Sequence, residues 1–264
     1  MLQAEKYLRP VGIGVTRPHL LRCDDGNIYV VKFQNNRLGP KVLVNEYIAA
    51  RFAEYVPLCF PPGGIVEVAA DFLRRCPPLR RLGVVSGRHF GARYLSHARY
   101  VHRANLAFAR NKKEIAGVML FDHLMHNADR TLNGKNMLLR READGWRLYA
   151  IDNSHLFGSG RWRTERLEAL AGRVSINRRR AYGALLRHYL TAEDFAPYIE
   201  RFEAIGEAEI ASIVDGIPAE WLGDAAARAA LKAFLSKRCA CASRIAACIA
   251  ASIPNDDGGA DLHE

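Results

Sequence analysis

Residues 120–157 read LFDHLMHNADRTLNGKNMLLRREADGWRLYAIDNSHLF, and the rest of the chain is interpreted around them. Ile115, Val118, Met119, Phe121, Leu124 and Met125 recur at helical spacing, so a helix runs into this stretch and ends near Asn127. A polar loop follows, carrying Asp129 and Asn136. Met137-Leu138-Leu139 and Leu148-Tyr149-Ala150-Ile151 then read as the two strands of a hairpin. A hairpin brings the chain back to where it left. Asn136 at the entry and Asp152 at the exit are therefore expected at one end of it, beside Asp129. An acid leaving a buried strand next to a loop acid is costly unless it is paired or holds a metal. Two carboxylates and an amide sharing a cleft can hold Mg²⁺ and orient a hydroxyl for phosphoryl transfer.

The segment upstream supplies a complementary half. Gly12 and Gly14 mark a turn that leads into an apolar segment, His19 to Cys23. Asp24-Asp25-Gly26-Asn27 is a hairpin signal, and Ile28-Tyr29-Val30-Val31-Lys32-Phe33 is rich in strand formers. The glycine turn precedes a hairpin rather than a helix, which argues against a P-loop and against a dinucleotide fold. Backbone N–H groups near Gly14, with Arg17 or His19, are candidates to touch phosphate. Lys32 stands inside an apolar strand. Glu46 lies fourteen residues later on a helix whose Val44, Ile48 and Phe52 form one stripe. Glu46 can pair with Lys32 and aim it at a phosphate.

An extended piece is expected over residues 64–68, and a short helix with a Pro-Pro break over 71–82. The glycines between residues 83 and 91 suggest a connection between lobes. Beyond the hairpin, helices resume near Thr164, and residues 224–252 read as one long alanine-rich helix. The order predicts an α+β, bilobal architecture: an N-terminal lobe over 1–87, a mainly helical lobe over 88–254, and a disordered acidic tail over 255–264.

Composition sets limits. Of 264 residues, 49% are hydrophobic, enough for a sizeable core. No apolar run approaches the roughly 18 residues of a membrane span. The opening MLQAEKYLRP lacks the apolar centre of a signal peptide, so a cytoplasmic protein is expected. Net charge is +10; the last ten residues hold four acids and no Lys or Arg, leaving +14 on the rest. Such a surface favours polyanions: nucleotides, tRNA, acidic proteins or anionic lipid surfaces. The six cysteines show no zinc-ligand spacing and are expected to be reduced and mostly buried. His123 and His126, with Asp122, resemble a metal site only weakly. Arg178-Arg179-Arg180 reads as a solvated helix face or as a contact for an acidic substrate or tRNA.

HNADRTLNGKNMLL followed by YAIDNSHLF resembles the catalytic segment of HipA-like kinases, a branch of the protein-kinase-like fold. RPHLLRCDDGNIYVVKF and VLVNEYIAARFAEYV are similar to that family's small lobe, and FPPGGIVEV with HFGAR to its lobe connection. The resemblance implies ATP and Mg²⁺ as cofactors and transfer of a phosphate to a hydroxyl, with protein Ser/Thr as the expected acceptor. It implies that Lys32 contacts ATP phosphates with Glu46 as helix partner, that Asp129 is the catalytic base, and that Asn136 and Asp152 hold the metal. Residues 84–91 would hold the adenine. The Asp129–Asn136 spacing exceeds that of ordinary protein kinases, which makes Asn133 a rival metal ligand. Asp152 is followed by Asn153 and Ser154 rather than by Phe-Gly. Two other classes stay open: a nucleotide-binding regulatory protein with little catalysis, and a basic nucleic-acid-binding module. No helix-turn-helix, zinc or RNA-binding signature supports the last.

Overall fold

The computed structural model describes residues 1–12, 14–132, 135–177 and 180–253. Five strands close a barrel in the order β1-β2-β3-β5-β4: β1 (Leu2–Pro10), β2 (His19–Cys23), β3 (Ile28–Lys32), β4 (Gly63–Val68) and β5 (Gly87–Arg93). Antiparallel pairings join them, except that β1 runs parallel to β4 through Leu2–Val66 and Gln3–Glu67, which seals the barrel. Its interior is filled by Leu21, Tyr29, Val31, Val66 and Val68. Gly91 sits where β5 crosses that interior. A Cβ there would lie 2.6 Å from Val66 Cγ2 and 3.3 Å from Tyr29 Cβ, so only glycine fits. Two short helices, α2 (Ala70–Arg74) and α3 (Pro77–Arg81), cover one end of the barrel with Phe72, Leu73 and Leu79.

The long helix α1 (Lys41–Tyr55) joins the barrel to the helical part. Sequence periodicity suggests a single apolar stripe. The structure buries Val42 through Ala49 and Phe52, because the helix packs on β4 and β5 on one side and on α10 (Glu207–Asp215) on another. Full burial of large apolar side chains such as Leu43, Ile48 and Phe52 stabilises by about 1.5–3 kcal/mol each. Asn45 and Glu46 are buried with them and find polar partners described below.

The remaining part is a helical body with a three-stranded sheet, β6 (Arg99–Tyr100), β7 (Met137–Glu142) and β8 (Gly145–Ala150), in that order. Its helices are α4 (Arg103–Leu106), α5 (Ile115–Leu124), α6 (Asp129–Leu132), α7 (Thr164–Ala171), α8 (Arg180–His188), α9 (Ala196–Glu203), α10, α11 (Ala225–Cys239) and α12 (Ala242–Ala250). The alanine-rich stretch is two helices, not one: the chain turns at Ala240-Cys241, so Cys239 and Ala242 can both face the core. Every residue of α5 is buried. The six cysteines are free, and four of them are buried. Among the described residues no helix is long and apolar enough to cross a membrane. The expected tail over 255–264 lies outside the described residues.

The lobe boundary moves. β5 lies beyond residue 87 yet is a central barrel strand, hydrogen-bonded on both edges, so the barrel lobe extends to Arg93. The connection to the helical part is the segment after it, Tyr94 to Ala98. A bidentate pair, Arg88 to Glu220 (2.7 and 2.5 Å), and the Trp221 Nε1 donation to Arg88 O (2.8 Å) tie the start of β5 to the helical body.

His89 illustrates how buried histidines hold this lobe. Its Nε2 donates to Val85 O (3.0 Å) and its Nδ1 accepts from Gln34 N (3.2 Å), which fixes the neutral ring. Burial lowers its pKa to about 4. An unfolded histidine titrates near 6.5, so the stabilising contribution is full above about pH 6.5 and is lost as pH falls towards 4. His123 and His126 are lowered by burial in the same sense. Denaturant unfolding at pH 7 and pH 5 is expected to show a large acid loss, of which about 2 kcal/mol disappears in His89→Gln.

Candidate active site

A cleft of about 550 Å³ opens between the barrel and the helical body. Its roof is the turn between β1 and β2, from which Val11, Gly14, Thr16 and Pro18 face the cleft. Gly12 and Gly14 adopt φ of 85° and 98°, and Arg17 follows at 48°, so the turn uses backbone conformations that glycine tolerates. Its far wall is the lobe connection, with Tyr94, Leu95 and Ala98, while Phe90 and Leu138 supply apolar surface. Lys32, Glu46, Asn136 and Asp152 lie at its polar end.

Lys32 ends β3, and its Nζ bridges two acids. It donates to Glu46 Oε1 and to Asp152 Oδ1, the latter at 2.8 Å. Burial opposes the ammonium charge. The carboxylates of Asp152 and Glu46 outweigh that and hold Lys32 above the usual lysine range. Burial raises Glu46 relative to an ordinary carboxylate, against the pull of Lys32. Asp152 goes the other way: the Lys32 ammonium and the Ser154 donors overcome its burial and hold it well below the usual range. Asp152 is the more open of the two acids, with 30% of its side chain exposed against 5% for Glu46. It sits at φ 62°, an uncommon conformation for a non-glycine residue, stabilised by Ser154 N donating to its Oδ1 (3.2 Å).

The hairpin register explains how Asn136 and Asp152 meet. Met137 pairs with Ala150, and Ile151 N continues the ladder by donating to Asn136 O (3.0 Å). Asn136 Nδ2 donates to Asp129 Oδ2 at 2.7 Å. That bond orients Asp129 and uses the amide nitrogen of Asn136 rather than its oxygen. His155 Nδ1 stands 3.7 Å from the same Asp129 oxygen.

A buried network fixes this loop from behind. Arg130 Nε donates to Asp122 Oδ2 (2.6 Å) and Nη2 to Asp122 Oδ1 (3.1 Å). The same guanidinium donates to Ile151 O (2.6 Å) and Asn153 Oδ1 (2.5 Å), gripping both neighbours of Asp152. Tyr182 OH and Asn127 Nδ2 also donate to Asp122, at 2.5 and 3.0 Å. From the other side, Asn153 N donates to Glu46 Oε1 (3.1 Å), and Asn45 Nδ2 donates to Ser154 O (2.7 Å). Thus α1 holds the segment after Asp152 through two adjacent residues.

The structure brings together Lys32, Glu46, Asn136 and Asp152, with Asp129 hydrogen-bonded to Asn136, and places Gly14 over the cleft. Other candidates fall elsewhere. His19 turns away from the cleft, into Tyr7 and Phe33, with ring centroids 5.8 and 5.7 Å away. Gly12 and Arg17 are exposed and do not line the cleft. Asn133, Arg178 and Arg179 lie outside the described residues. Of residues 84–91, only Phe90 lines the cleft, while Tyr94, Leu95 and Ala98 of the lobe connection line it as well. His123 is satisfied by Met119 O (2.6 Å) and by Asn177 N (3.0 Å), and Asp122 by Arg130, so this cluster is structural. Among the described residues no group of three or more His, Cys, Asp or Glu could hold a metal. Asp152 and Asn136 instead offer two hard oxygen ligands, which suits Mg²⁺ completed by phosphates and water. Sequence reasoning missed Arg130, Lys135, Ser154 and His155 as site residues.

A family model described as HipA-like kinase matches residues 5–240. The solved structure of the Helicobacter pylori proinflammatory kinase CtkA superposes with a TM-score of 0.59 at 12% identity, over 93% of this chain and 94% of that chain. At that identity the likeness is one of fold. No curated protein matches.

Proposed function

We propose that this chain, which belongs to the HipA-like kinase family, transfers the γ-phosphate of ATP to a hydroxyl, and that the acceptor is a protein serine or threonine. The family is one of phosphotransferases, and its activity implies ATP. The observation that carries the reading is the bridge from Lys32 to both Glu46 and Asp152, set at the floor of a cleft beside the Asn136–Asp129 bond.

Each side chain has a task that its surroundings support. Lys32 neutralises phosphate charge, and Glu46, buried at its back, keeps the ammonium pointed into the cleft. The backbone around Gly14 covers the phosphates. Asp129 accepts a hydrogen bond from the incoming hydroxyl and takes its proton as the new P–O bond forms and the bond from the γ-phosphorus to the ADP leaving group breaks, while Asn136 fixes the orientation of Asp129. Asp152 and Asn136 would hold Mg²⁺, which when bound draws charge from the transferring phosphoryl group. Little covalent chemistry is asked of the protein, so positioning and electrostatics supply most of the rate.

The test is transfer of labelled γ-phosphate from ATP with Mg²⁺, alone and with cell extract. Wild-type protein should label itself or an extract protein on Ser/Thr. Asp129→Ala and Asp152→Ala should each lose at least about a hundredfold, the scale of a lost general base or charge stabiliser. Saturable ATP binding with no transfer would replace the kinase by a regulatory nucleotide-binding protein.

A further inference from the structure

A second cavity, of about 250 Å³, lies against the back of the catalytic loop and shares no lining residue with the nucleotide cleft among the described residues. His126, Asn127 and Ala128, which lead directly into Asp129, form one wall. Arg166 on α7 and Arg173 just after it form another. Neither arginine forms an ion pair with a carboxylate among the described residues. The one acid in the wall, Asp122, is already neutralised by Arg130. Beneath lies a third guanidinium, that of Arg238, fully buried and bonded among the described residues only to backbone carbonyls: Leu124 O at 2.7 Å, His123 O at 2.8 Å, Arg173 O at 2.7 Å and Ala171 O at 3.4 Å. His126 reports the resulting field. Burial, followed by Arg238 and with smaller contributions from Arg173 and Arg166, lowers its pKa to about 4.

A second observation points to a ligand. Asn127 is 3% exposed, and among the described residues its buried Oδ1 has no hydrogen-bond donor. Its Nδ2 is committed to Asp122, so the amide is not reversed. An orphaned buried acceptor costs about 1–3 kcal/mol, and guanidinium groups without counter-charge favour an oxyanion. A group that satisfies both carries an oxyanion for the arginines and an N–H or O–H beside it for Asn127.

We propose that this cavity is the acceptor subsite of the kinase, holding a phosphate monoester or carboxylate side chain of the acceptor peptide, with Arg166 and Arg173 on the oxyanion and Asn127 Oδ1 on a neighbouring backbone N–H. The proposal rests on the kinase reading for its purpose, and its binding chemistry can be measured without transfer. Its consequence is selection of acceptors that are acidic or already phosphorylated near the target hydroxyl. The opening sequence of the loop, Asn127-Ala128-Asp129, then joins recognition to chemistry within three residues.

The experiment titrates the whole protein by calorimetry with N-acetyl-O-phosphoserine amide, N-acetyl-glutamate amide and inorganic phosphate, alongside ATP as a separate arm. Wild-type protein should bind the phosphoserine amide at least tenfold more tightly than inorganic phosphate, because the amide brings a separate N–H for Asn127 while its phosphate oxygens stay on the arginines, whereas inorganic phosphate has only its own O–H to offer at the same atom centre. Arg166→Gln/Arg173→Gln should weaken that binding at least tenfold and leave ATP affinity within twofold; both arginines are exposed, so the variant folds. Equal affinity for the amide and for inorganic phosphate would reduce the cavity to a plain anion site and overturn the acceptor role. Unchanged binding in the double variant, or no saturable binding by the wild type, would overturn the site itself. Failure of the kinase reading would show separately, as absent ATP binding or as ATP binding without phosphate transfer, with the amide arm intact.

Discussion

Arg130→Met is expected to destabilise the protein by about 3–5 kcal/mol, the cost of removing one partner from a buried ion pair. Arg130 and Asp122 are 0% and 1% exposed in their side chains. Removing the guanidinium leaves the Asp122 carboxylate to Tyr182 and Asn127 alone, and strips donors from Ile151 O and Asn153 Oδ1. Urea unfolding would measure the loss. A double variant, Arg130→Met/Asp122→Leu, should recover a substantial part, because no uncompensated charge then remains. Phosphoryl transfer should fall in both variants, since the backbone on either side of Asp152 has lost its clamp. A loss under about 1 kcal/mol in Arg130→Met would mean that the network is incidental.

Lys32→Met is expected to reduce transfer about 10²–10³-fold, the effect of losing one preorganised group that stabilises transition-state charge. It also leaves Glu46 and Asp152 facing each other without the ammonium between them. Glu46, whose pKa burial already raises, should then take up a proton on folding. The stability of Lys32→Met should therefore improve as pH falls, since the folded state binds the extra proton. Adding Glu46→Gln should remove that pH dependence and restore stability without restoring transfer. Recovery of transfer in the double variant would mean that Lys32 acts on fold alone.

Much of this site is legible in the sequence because its parts sit at element ends. A hairpin must return Asp152 to Asn136, and a lysine in an apolar strand followed by a glutamate on the next helix is a pair that local pattern reveals. Arg130 was not legible, because it is one more polar residue in a polar loop until Asp122, Ile151, Asn153 and Asn136 converge on it from 6 to 23 residues away. The strand β1 escaped notice for a different reason. Its register shifts twice, between Ala4 and Lys6 and between Tyr7 and Arg9, so its inward residues do not alternate. Gly87-Arg88-His89-Phe90-Gly91 reads as a linker, yet it is a central strand. Its glycine answers a crowded barrel interior rather than a need for flexibility. The acidic tail and Asn133 lie outside the described residues.

The central claim is that Lys32, Asn136 and Asp152 hold a metal–nucleotide complex in this cleft with Asp129 facing its γ-phosphate. A crystal structure with Mn²⁺ and a non-hydrolysable ATP analogue tests it most directly, because Mn²⁺ is located by anomalous scattering. The account predicts a peak about 2.1 Å from oxygens of Asp152 and Asn136, Lys32 Nζ on a phosphate, and the γ-phosphate next to Asp129. A nucleotide bound elsewhere, or a metal peak held by other side chains, would contradict it.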